Sequence, residues 1–181
     1  MAHSTALSSF RSKPHTAPFV GPAWYVAAAW LALAVLAQST IVHYLAIRNV
    51  VPSLVLVVVV WYSLRVDLRR AALYGFVAGL CEDALAAQTG AAWTIATTLA
   101  AMLASVLSRG FFADSIPLVI GITVLATLVR ALLFWIVAAL EGYPPGLGSM
   151  HLHEAALQSA LNAIAMVVAM VIVRRVEQAR E

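Results

Sequence analysis

From Ile116 to Leu140 the chain carries one ionisable side chain, Arg130, in an otherwise apolar run. About 20 apolar residues of helix cross the ~30 Å core of a bilayer, so this run is long enough to span it. Shorter apolar runs precede and follow it, separated by brief polar breaks: Pro22 to about Leu45, Val50 to Leu64, Ala71 to about Ala87, Ala91 to Leu107, and about Glu154 to Val173. The second is rich in valine, which in water would favour a strand. Lipid offers backbone groups no hydrogen bonds, so only helices and closed barrels cross it, and the neighbouring runs are too long for barrel strands. The pattern predicts an all-α integral membrane protein, a bundle of six transmembrane helices.

Composition agrees. Of 181 residues, 63% are hydrophobic and 10% charged, against about 25% charged in soluble domains. A surface so poor in charge is explained if lipid replaces water over most of it. The net charge of +3 does not point to a nucleic-acid partner, because the basic residues cluster at the ends of the apolar runs, where they act as topology signals. With the amino terminus inside, Arg11, Lys13, Arg65, Arg69, Arg70, Arg109, Arg174, Arg175 and Arg180 fall on the cytoplasmic side and only Arg48 outside. This bias predicts a multi-pass membrane protein with both termini cytoplasmic. Residues 1–20 read as a disordered cytoplasmic tail, 21–176 as the transmembrane domain and 177–181 as a short cytoplasmic tail. Ala32-Leu33-Ala34 mimics a signal-peptidase site, but the first run extends past the ~15 apolar residues of a signal peptide.

Charged groups at bilayer depth cost about 2.5–3.5 kcal/mol each on insertion scales and need a reason to be there. Glu82 and Asp83 lie in the third run and Arg130 in the fifth. At 1.5 Å per residue, Asp83 is roughly 18 Å and Arg130 roughly 21 Å from the cytoplasmic start of its helix. Asn162, in a helix running the other way, falls near that level, with Gln158 one turn further out. An Asp83–Arg130 ion pair is expected, with Glu82 or Asn162 taking the remaining guanidinium donors. Such a network could fix helix register, or form a ligand site, a proton path or a docking point. Gly75, Gly79 and Asp83 recur at steps of four and share one face, which suits close helix packing or a partner.

No residues stand out for catalysis. Gly148-Ser149 followed by His151 superficially suggests an intramembrane serine protease, but no glycine follows the serine, which falls in the expected external loop Glu141 to His153. His151, His153 and Glu154, read as part of that loop or its edge, lack the spacing and number of a closed metal site. Trp24, Trp61, Tyr62, Trp93 and Tyr143 read as an aromatic belt at the membrane surfaces, and Phe111-Phe112 with Arg109 and Asp114 as an interfacial turn. Cys81 reads as a small buried hydrophobe. No phosphate loop, dinucleotide fingerprint or paired-cysteine motif is present.

The stretch Gly75-Phe76-Val77-Ala78-Gly79-Leu80-Cys81-Glu82-Asp83-Ala84-Leu85, with Gly90 shortly after, resembles the signature of the MreD family of rod shape-determining proteins. That signature has the form Gly-Phe-x-x-Gly-Leu-x-x-Asp-x-Leu. Pro52-Ser53-Leu54-Val55-Leu56 resembles the proline-led second helix of the family, and Leu161-Asn162-Ala163 its last helix. Glu82 beside the family-type Asp83 is not part of the pattern. The resemblance implies a non-enzymatic, cofactor-free subunit of the bacterial elongation machinery, located in the bacterial inner membrane. Its implied partners are an MreC-like single-span protein, the actin-like MreB, and a RodA-type polymerase with its transpeptidase. It also implies a fold similar to the substrate-binding subunits of energy-coupling-factor vitamin transporters. Such a subunit is the alternative function, and would need a cavity in the outer half of the bilayer lined by Glu82, Asp83, Arg130, Gln158 and Asn162.

Overall fold

In the computed structural model the described residues are 21–40, 44, 46–86, 90–109, 115–142 and 146–178, and they form six α-helices. These are α1 (Trp24–Thr40), α2 (Leu54–Ser63), α3 (Leu68–Ala86), α4 (Ala92–Ser108), α5 (Ile116–Leu140) and α6 (Leu147–Gln178). The expected tail at 1–20, Tyr143, and Phe111, Phe112 and Asp114 lie outside the described residues. Two segments are long and apolar enough to cross a membrane by length and composition, Ile116–Leu140 and Ser149–Val176, while α1, α2 and α4 are shorter apolar helices.

Helix ends follow local chemistry. Ser115 stands at the N-cap of α5 with Pro117 in the first turn, where a missing N–H costs nothing. Ser53 caps α2, its Oγ accepting from the Leu56 N–H at 3.3 Å. α6 starts at Leu147, earlier than its apolar pattern suggests. Gly146 adopts φ +107, and its carbonyl accepts from Met150 N at 2.9 Å and Ser149 Oγ at 3.0 Å. Nothing after Gly146 breaks a helix, and the polar His151, His153 and Glu154 lower local hydropathy without interrupting it. Ser149 and both histidines therefore lie on helix, not in the expected loop.

α2 is the second departure. The run Val50 to Leu64 is helical only over 10 residues, about 15 Å and half a bilayer core. Pro52 keeps its predecessor extended. Before it, Ile47 and Val50 exchange both backbone hydrogen bonds at 2.9 Å across a tight turn in which Arg48 and Asn49 have φ 50 and 66. Two successive left-handed residues make a type I′ turn, for which Asn49 is suited.

The helices alternate in direction. Gly21 and Ser105 both approach Val66 at one end, and Gln38 reaches Pro52 at the other. Among the described residues α2 packs against each of the other five helices, whereas α1 touches α2 and α3 alone. Val55, Leu56, Val59 and Val60 of α2 are fully buried. The outward faces of α5 and α6 expose Leu125, Leu128, Leu132, Ile136, Ile164, Val168 and Val171, a surface for lipid rather than water.

The α3–α4 seam is tight because of two glycines. A Cβ at Gly75 would lie 2.6 Å from Ala101 Cβ, and one at Gly79 would lie 2.5 Å from Thr94 Cα. The Gly75/Gly79 face is thus turned into the bundle, against α4, and is not free for a partner.

Candidate functional site

Arg130 stands at the middle of α5 and is 4% exposed. Side chains of α2, α3 and α4 take three of its five N–H groups. Nη2 donates to Glu82 Oε1 of α3 at 2.6 Å, Nε to Thr97 Oγ1 of α4 at 3.0 Å, and Nη1 to the capping Ser53 Oγ of α2 at 2.9 Å. Thr97 Oγ1 in turn donates a hydrogen bond to Glu82 Oε2 at 2.9 Å, so the threonine bridges acid and base. The guanidinium carbon lies 4.4 Å from the centroid of the Trp93 ring, within range of a cation–π attraction. Phe134 stacks on Trp93 at 4.1 Å, and His151 meets both rings edge-on.

The ion pair differs from the one expected: Arg130 is held by Glu82, and Asp83 is engaged elsewhere. Asp83 accepts from Trp93 N at 3.1 Å, Thr94 N at 2.8 Å and Thr94 Oγ1 at 2.6 Å. Ala91, at the N-cap of α4, has no side-chain cap bond. Asp83 supplies one from a neighbouring helix, satisfying first-turn N–H groups and meeting the positive end of the helix dipole. Adjacent helical residues point about 100° apart. Depth arithmetic finds the layer, but the angle around α3 decides which acid meets α5 and which meets α4.

Asn162, fully buried in α6, donates from Nδ2 to Thr127 Oγ1 at 3.1 Å and accepts from Ser53 N at 2.7 Å. Gln158 donates to Val51 O at 3.1 Å. From α1, Gln38 donates to Pro52 O at 3.3 Å and accepts from Leu54 N at 2.8 Å. The extended lead-in to α2 is thus hydrogen-bonded by amide side chains, as backbone without water must be. Gly90, at φ +51, stands in the turn that leads into α4.

Of the residues singled out in sequence, Glu82, Arg130 and Asn162 are joined through Ser53 and Thr97, with Gln158 on the same lead-in. Thr97, Thr127 and Gln38 are not among them, and Ser53 stands there only within the Pro52-led motif. Their signal was the Pro52-Ser53 helix start, a threonine cluster at 94, 97 and 98, and an amide at the end of an apolar run. The aromatic-belt reading fits Trp24, which is 79% exposed, but not Trp61 or Tyr62, each 7% exposed, nor Trp93, which lies against Arg130.

A cavity of about 400 Å³ opens beside Arg130 and Glu82, bounded by Gln38, Trp93, His151 and Gln158 among others. The groups present suit neutralised binding and helix specification. Among the described residues no set of three metal-ligating side chains converges.

No curated protein and no solved structure matches the chain. Over residues 20–178 it does match the family described as rod shape-determining protein MreD. That span takes in the paired glycines, both acids, Arg130 and Asn162. The chain belongs to the MreD family of rod shape-determining membrane proteins.

Proposed function

We propose that the chain is a non-enzymatic scaffold subunit of the bacterial cell-elongation complex. It crosses the inner membrane six times, with both termini cytoplasmic, and α2 together with its extended lead-in is the short, enclosed crossing. It holds an MreC-like single-span partner by lateral contact, and through it supports the MreB filament, the RodA-type polymerase and transpeptidase, and peptidoglycan synthesis. Residues 1–20 and 177–181 are its cytoplasmic tails.

The supporting observation is the network around Arg130. Its charge is neutralised by Glu82 inside the bundle, and its bonds join α2, α3, α4 and α5. A neutralised, multiply bonded pair fixes which helices are neighbours, the best attested use of buried polar groups. A contact scaffold needs that rigidity. Glu82, Asp83, Arg130, Gln158 and Asn162 are its specifying residues, and Gly75 and Gly79 set the α3–α4 approach.

Depletion in a rod-shaped host tests the reading, with cell shape and co-purification of the single-span partner as readouts. Rounded cells and loss of the partner complex are expected. Rods that persist through complete depletion would reject it. Reading the chain as a vitamin-transporter subunit instead predicts uptake of a vitamin that depends on it, and an unchanged cell shape.

A further inference from the structure

The cavity beside Arg130 is lined at its mouth by Ser39 at the end of α1, Ala86 at the end of α3 and His151 at the start of α6. Arg130, Glu82 and Ser53 reach it from within. Its volume, about 400 Å³, falls at the small end of the ~300–1,000 Å³ range of ligand pockets.

A guanidinium has five N–H donors. Thr97, Ser53 and Glu82 take one each, so each terminal nitrogen of Arg130 keeps one N–H. Each Glu82 oxygen accepts one bond from the network and retains a lone pair. The cavity therefore offers paired donors beside an acidic acceptor, on side chains 5% and 10% exposed.

Charge selects the ligand. The Arg130–Glu82 pair sums to zero, so an incoming net anion or cation would bring an uncompensated charge into a poorly solvated site, which is costly. A zwitterion adds none, and can place its anionic oxygens on the guanidinium and its ammonium on the carboxylate. We propose that this cavity binds a small zwitterionic group, an amine and an acid a few ångströms apart. Two sources supply that chemistry: the phosphoethanolamine headgroup of a phospholipid, or a free amino acid. The inference does not rest on the scaffold reading, because the cavity's donors and acceptors are present whichever partner the bundle holds.

The test uses the full chain in detergent. Thermal unfolding and native mass spectrometry follow titration with dioleoyl phosphatidylethanolamine, dioleoyl phosphatidylglycerol, glycerophosphoethanolamine and glycine. Stabilisation with one retained equivalent of phosphatidylethanolamine, and none of phosphatidylglycerol, identifies the lipid source. Stabilisation by glycine alone identifies the free amino acid. Glu82→Gln should weaken binding by about tenfold or more, the size of a lost charge-assisted contact. Because that variant also disturbs the bundle, Ala86→Phe gives an independent check: Ala86 is exposed at the mouth, so the ring blocks entry and leaves the pair intact. Binding unchanged in Ala86→Phe, equal binding of phosphatidylglycerol, or no response to any zwitterion would overturn the proposal.

Discussion

Where α2 begins, Ser53, Glu82, Thr97, Arg130 and Asn162 are linked by side-chain hydrogen bonds running from helix to helix. Where α2 ends, Trp61, Tyr62, Leu64, Val66, Met166 and Met170 form an apolar core. There Tyr74 Oη donates to Ala27 O at 2.8 Å and Ser105 Oγ to Val66 O at 3.0 Å. Trp61 Nε1 and Ser63 Oγ lack hydrogen-bond partners among the described residues. The same six helices are thus joined at one level by directional bonds and at another by shape. Apolar side chains that have lipid as an alternative environment gain little by meeting each other. On the scaffold reading proposed above, register is set at the polar level by directional bonds, and the rest follows by packing.

The largest effect expected from breaking this contrast is at Arg130. Arg130→Met leaves Glu82 buried and unpaired and should cost about 3–5 kcal/mol of stability, measured by denaturant unfolding in mixed micelles. Adding Glu82→Gln should recover part of it. In a double-mutant cycle the Glu82–Arg130 coupling should exceed about 1 kcal/mol, while the Asp83–Arg130 coupling stays within about 0.5 kcal/mol. Equal couplings would return Asp83 to the pair.

Gly79→Leu comes next, at about 1–3 kcal/mol, because its side chain meets the α4 backbone. Gly121 has nothing within 4 Å of an added Cβ, and Gly121→Ala should be neutral or stabilise by about 0.4–1 kcal/mol. Thermal midpoints separate the two. Asp83→Ala removes the cap on α4 and should cost about 1–2 kcal/mol, with faster amide exchange at Trp93 and Thr94 as its signature. Tyr74→Phe, in the shape-determined half, should cost only about 0.5–1.5 kcal/mol. A larger loss there than at Arg130 would reverse the comparison.

Much of the fold was legible in the sequence because lipid makes helix nearly obligatory for apolar runs. The run from Ile116 to Leu140 coincides with α5. Polarity at depth is rare enough that Glu82, Arg130 and Asn162 announced a common layer. Azimuth was not legible: depth is one-dimensional, and assigning partners to neighbouring acids requires knowing where each helix stands. Thr97 was missed because threonine in a membrane helix usually bonds back to its own turn, as Thr98 does to Thr94 O at 2.6 Å. Trp61 and Tyr62 were misplaced because a run of helical length gives no hint that the helix inside it is short and enclosed.

The lead-in to α2 has a consequence for biosynthesis. Its backbone depends on Gln38, translated before it, and on Gln158 and Asn162, which emerge from the ribosome more than a hundred residues later. Until α6 is made, Val51 and Ser53 lack those partners, so the centre of the molecule is the last part to be completed. A nascent chain stopped before Gln158 therefore leaves Val51 O and Ser53 N without these bonds, and the final helix supplies them.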